Sequence, residues 1–102
     1  MKVLVVGDFY PNFELKKTLL NNEPSIIFDK FYSIIQKSDL AIVNLESPLT
    51  SCDKAIKKTG PALKADKGFA DFLKNSGFGL ATLANNHIMD YGSIGFYDTI
   101  KA

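Results

Sequence analysis

Three polar clusters stand directly behind apolar stretches: Gly7-Asp8, Asn44-Leu45-Glu46 and Asn85-Asn86-His87. Carboxylates, carboxamides and an imidazole are side chains that hold divalent cations and move protons. Oxygen ligands with one imidazole suit a borderline or hard ion such as manganese, iron or zinc, whereas an all-oxygen shell favours magnesium or calcium. Two ions ~3.5–4 Å apart need more ligands than these three loops hold, so a complete two-ion site requires residues beyond Ala102. Asp90 lies three residues after His87. A carboxylate there either accepts the imidazole N–H and sets its tautomer or caps the helix that follows.

Each cluster also has a plainer reading. Gly-Asp after a strand is common turn chemistry. Asn44 reads as a turn residue and Glu46 as a solvated carboxylate when seen alone, and His87 as a hydrogen-bonded structural residue. The run from Asn85 through His87 to Asp90, Tyr91 and Gly92 is harder to dismiss. So many polar groups behind a buried strand need partners.

The elements that must position these residues are legible in the apolar pattern. Lys2–Val6, Leu40–Val43 and Phe78–Leu83 are short, β-rich and continuous, which predicts parallel strands covered on both faces. Between the first two, Phe28, Phe31, Ile34 and Ile35 fall on one face of a helix over 27–37. Asp66 is placed to cap a helix with Phe69, Phe72 and Leu73 on its apolar face and Gly77 at its end. The stretch from Ser47 to Ala65 reads as a long surface excursion with an extended piece at 62–64. A last helix from Ser93 is expected to turn Phe96, Tyr97 and Ile100 inward. Right-handed crossovers gather the carboxyl ends of parallel strands along one edge, where ligands bind in open α/β sheets. The fold class is therefore α/β, with three mainly parallel strands and helical crossovers, and the three clusters meet in one site.

Composition narrows the function classes. With 46% apolar residues in 102, the chain is a folded domain rather than a disordered segment. Twelve basic against eleven acidic side chains leave +1, which supplies no field for nucleic acid. Cys52 is alone, so no internal disulfide forms. The first apolar run stops at Asp8, too short for a signal peptide or membrane anchor, and predicts a cytoplasmic chain. G-x-G-x-x-G is missing after the first strand, which removes support for dinucleotide binding. A parallel sheet with an uncovered face or edge is expected to self-associate.

Val-Val-Gly-Asp at 5–8, Val-Asn-Leu-Glu-Ser-Pro-Leu-Thr at 43–50 and Leu-Ala-Asn-Asn-His-Ile-Met-Asp-Tyr-Gly at 83–92, with Asp98-Thr99 after them, resemble the successive signatures of the CapA/PgsA poly-γ-glutamate capsule family. That family is similar to calcineurin-like metallophosphoesterases. The resemblance implies that residues 1–102 are the N-terminal portion of such a domain, half of an α/β sandwich. It implies metal ligation by Asp8, Glu46 and Asn86, catalysis by His87 with Asp90 beside it, and Asn44 and Asn85 lining the site. The cofactor would be one or two divalent ions (Mn, Fe or Zn), and the partner a capsule polymer or its precursor. Tyr10 stands where phosphoesterases have a metal-binding histidine, which keeps open a non-catalytic, polymer-handling subunit with the same fold. Lys54, Lys57, Lys58, Lys64 and Lys67 would meet a polyanion, or form a solvated lysine-rich loop.

Overall fold

The computed structural model describes residues 1–102. Its frame is a parallel sheet of β1 (Val3–Phe9), β2 (Leu40–Leu45) and β3 (Leu80–Thr82), in the order β1-β2-β3. Helices α1 (Lys16–Leu20), α2 (Pro24–Phe28) and α3 (Lys30–Lys37) fill the first crossover. The second contains α4 (Phe69–Ser76), and α5 (Gly92–Lys101) follows β3. All three strands therefore send their carboxyl ends to one edge, as the crossover argument requires.

The central strand alternates instead of being covered on both faces. Ala41, Val43 and Leu45 are buried, and Val43 and Leu45 join Leu49, Ala65, Phe69, Phe72 and Leu73 in the core beneath α4. On the opposite face, Val3 and Val5 of β1 align with Leu40 and Ile42, and Leu80 of β3 also aligns with Ile42. Val5 is 69% exposed and Leu80 45%, so the expectation of two covered faces is corrected: helices cover one face only. The apolar run of a strand reports its hydrophobicity but not what packs on it.

An irregularity in β1 decides where the first cluster points. Val5 pairs with Ile42, yet Asp8 pairs with Asn44, so β1 carries one extra residue in between. In unbroken register Asp8 would face Leu45 on the core side. The inserted residue turns the carboxylate to the open face beside Asn44, which is what β-bulges do next to functional sites. Gly7 and Asp8 thus lie inside a strand that runs to Phe9, beyond the expected end at Val6, whereas β3 is shorter than Phe78–Leu83.

Other local readings change in packing. The helix expected over 27–37 is broken at Asp29, whose φ of 50° is left-handed, and Phe31 and Ile34 stay exposed while Ile35 is buried. In α5, Tyr97 and Ile100 are 62% and 57% exposed, and the face turned inward is Gly95 and Thr99. The helix backbone approaches Pro48 and Thr50 at Gly95, where a bulky side chain has no room. The excursion after β2 is not wholly on the surface: Ser47 to Thr50 are buried, and Leu49 forms a parallel bridge with Ala65, one residue past the expected extended piece. Asp66 accepts the Gly68 N–H in the turn ahead of α4 but does not cap the helix, whose N-cap position is Gly68, whereas Gly77 ends that helix with a left-handed φ of 105° as the sequence predicts. No helix is long and apolar enough to cross a membrane.

Candidate functional site

At the carboxyl edge of the sheet the three clusters are tied by side-chain hydrogen bonds. Asn44 Nδ2 donates to Asp8 Oδ1 at 2.6 Å, joining β1 to β2. Asn44 Oδ1 accepts from Thr82 Oγ1 at 3.0 Å and from Asn85 Nδ2 at 3.3 Å, joining β2 to β3 and the loop behind it. Asn85 also donates to the Leu45 carbonyl at 2.8 Å and accepts the His87 N–H at 3.1 Å. Asn44 is thus the hub. Its carboxamide has both donor and acceptor functions, so it serves a carboxylate on one side and a hydroxyl and an amide on the other.

His87 is fixed from behind. Its Nδ1 lies 2.7 Å from Asp90 Oδ2, and the Asp90 side chain is fully buried while the imidazole keeps 12% exposure. Asp90 Oδ2 also accepts the Leu63 N–H at 2.7 Å, and Oδ1 accepts Lys58 Nζ at 2.6 Å. Burial works to raise the Asp90 pKa, but Lys58, the Leu63 N–H and His87 outweigh it and hold the carboxyl below its ordinary range. The choice left open for Asp90 is thereby decided. It holds the imidazole, and no side chain caps α5. Nδ1 faces Asp90, with Lys58 Nζ 3.4 Å from the same nitrogen, so Nε2 is the nitrogen left for chemistry.

The side chains of the remaining expected site residues are not hydrogen-bonded into this network. Glu46 is half-buried and fixed by its own N–H to the Phe9 carbonyl at 3.1 Å, and Asn86 is exposed. Neither side chain hydrogen-bonds to Asp8 or Asn44. No three side chains of His, Cys, Asp or Glu converge as a group able to hold a metal ion. Tyr10 points elsewhere. With Thr50, Lys64, Asp66 and Phe69 it lines an open cleft of about 360 Å³ that neither Asp8 nor His87 lines. Burial and then the neighbouring Tyr91 raise its pKa, so the phenol stays protonated at neutral pH.

Two participants escaped the sequence reading. Thr82 is a lone hydroxyl in a strand, and nothing in sequence distinguishes it. Lys58 sat among five loop lysines without a mark of its own, yet it reaches a partner 32 positions away. Lys64 and Lys67 are also paired, with Asp53 at 2.7 Å and Asp98 at 3.7 Å, while Lys54 and Lys57 are exposed.

The description "Bacterial capsule synthesis protein PGA_cap" matches residues 2–102. The chain belongs to this family. It is similar to the capsule biosynthesis protein CapA of Bacillus anthracis, 30% identical over 105 residues that take in all of this chain and 26% of that protein. It is likewise similar to the PGA biosynthesis protein CapA of Bacillus subtilis (strain 168), 32% identical over 101 residues, covering 93% of this chain and 25% of that one. The chain thus spans about a quarter of the length of these curated relatives. The structure gives the family's motifs physical roles. Asp98 and Thr99 clamp the Ser-Pro-Leu-Thr segment, through Asp98 to the Thr50 hydroxyl and Thr99 to the Leu49 N–H.

Proposed function

We propose that this chain supplies the acid–base side of a hydrolase-like site in capsule biosynthesis, acting on a capsule polymer or its precursor. The observation that carries the reading is the 2.7 Å contact between His87 Nδ1 and the fully buried Asp90. A buried, ionised carboxylate behind an imidazole is the arrangement that orients a general acid or base. His87 would exchange a proton with the reacting group through Nε2. Asp90 would hold the ring, and Asn85 would anchor the loop that carries both.

A divalent ion, manganese, iron or zinc, belongs to the same proposal as a supplier of electrophilic assistance. Asp8, Glu46 and Asn86 would be its donors from this chain. Further donors would come from elsewhere in the whole protein. A non-catalytic, polymer-handling role is the second reading. It is favoured by Tyr10, whose half-buried, protonated phenol is a poor substitute for a ligand histidine.

The test compares two variants of the whole protein that contains this chain, assayed on phosphodiesters and on γ-glutamyl polymer with metal content measured in parallel. His87→Asn keeps polarity and removes proton transfer, so turnover should fall ~10²–10⁴-fold with metal content unchanged. Asp8→Ala should lower both. Undiminished turnover in His87→Asn would leave the polymer-handling reading in its place.

A further inference from the structure

The loop after β2 crosses back over the His87 loop and is fastened to one residue. The Ile56 N–H donates to the Asp90 carbonyl at 2.8 Å, Lys58 Nζ to Asp90 Oδ1 at 2.6 Å, and the Leu63 N–H to Asp90 Oδ2 at 2.7 Å. Lys58 is held between two backbone anchors, and its Nζ also lies 3.4 Å from His87 Nδ1, a longer approach than the 2.6 Å contact to Asp90. Its side chain is only 20% exposed, while the neighbouring Lys54 and Lys57 are exposed. An ordinary surface lysine has no such setting, since holding a long side chain in one place against a buried partner opposes its rotamer entropy.

We infer that Lys58 is a positioning residue for His87: it pins the Asp90 carboxylate against Nδ1 and thereby sets which imidazole nitrogen faces the site. An ionised carboxylate only accepts hydrogen bonds, so the ring must present Nδ1–H to it and keep the Nε2 lone pair free. A protonated carboxyl carries a hydrogen of its own and can donate it to Nδ1. The ring proton then moves to Nε2, and the nitrogen facing the site changes from acceptor to donor. Burial alone pushes a carboxyl toward that neutral state. Apart from the imidazole itself, Lys58 is the only cation on Asp90. The excursion loop is thus part of the site, although none of its residues lies at the sheet edge. The inference rests on the acid–base reading of His87, but its test reads the ring and not turnover.

His87 is the only histidine in the 102 residues, so its imidazole nitrogens are identified without ambiguity. Long-range proton–nitrogen NMR spectra of the chain should be recorded at rising pH until the imidazole shifts stop changing, so that the neutral ring is read. The unsubstituted chain and Lys58→Arg should show one tautomer, protonated at Nδ1. Lys58→Met, which keeps the aliphatic stem, should show a mixture or the Nε2–H form, with backbone amide shifts distant from the loop unchanged. If Lys58→Met does not fold, Lys58→Gln against Lys58→Arg decides, because glutamine keeps a donor and lacks the charge. The Nδ1–H form retained in a folded Lys58→Met, or in Lys58→Gln where the methionine variant fails to fold, overturns the inference. So does a mixture of tautomers in the unsubstituted chain.

Discussion

The Thr99 hydroxyl accepts the Leu49 N–H at 2.9 Å across 50 positions of sequence while donating to the Gly95 carbonyl at 2.8 Å. This pair ties α5 to the segment leaving β2, and both residues are buried. Thr99→Val keeps the shape and leaves the Leu49 N–H without an acceptor, which should destabilise the fold by about 1–3 kcal/mol. Thr99→Ser should recover most of that. Urea unfolding of the three proteins at one pH checks the order.

Asp90→Asn retains volume but removes the charge opposite Lys58. Breaking a buried ion pair costs about 3–5 kcal/mol, and the lower end applies because Lys58 keeps some access to water. The expected outcome is a chain that still folds, with its urea midpoint well below the parent's.

The same carboxylate makes stability depend on acid. The folded pKa of Asp90 lies below its ordinary value of 3.8, with Asp66 and Asp98 shifted in the same direction. Below their ordinary pKa the unfolded chain binds more protons than the folded one, so their contribution is complete above about pH 4 and is lost as pH falls through the folded values. Thermal melts from pH 7 downward should show this loss. The gap between parent and Asp90→Asn should narrow below about pH 4, since the parent then loses the same charge.

Gly77 ends α4 with φ of 105°, and a Cβ there would lie 2.6 Å from Gln36 Nε2 and 3.0 Å from Ile35 Cγ2. Gln36 cannot swing away freely because its amide donates to the Ser76 carbonyl at 3.0 Å. Gly77→Ala should therefore cost more than about 1 kcal/mol, lowering the melting temperature by at least roughly 4 °C.

The open sheet face predicts association of the chain in isolation. Val3, Val5 and Leu80 present an apolar surface with no helix over it. Sedimentation should show species larger than a monomer at raised concentration, and Val5→Lys should shift them toward the monomer. A parent chain that stays monomeric throughout would contradict this.

What was legible in the sequence follows from local chemistry. Three apolar runs with polar ends, joined by segments with helical periodicity, are enough for parallel strands with one functional edge, because crossover handedness leaves few alternatives. The left-handed glycine at 77 and the gathering of Asp8, Asn44, Asn85 and His87 followed from the same reasoning. Tertiary contacts decided the rest. The extra residue in β1 that turns Asp8 toward Asn44 leaves no trace in composition, since a one-residue slip changes faces and not residue types. Tyr97 and Ile100 point outward because the Thr99 hydroxyl and the small Gly95 make a closer fit to the Pro48–Thr50 segment than a larger apolar face could. The choice of Asp90 as imidazole partner rather than helix cap, and of Lys58 as its counter-ion, depended on how a long loop returns. Loop return is fixed by contacts between residues far apart in the chain, and no periodicity within the loop encodes it.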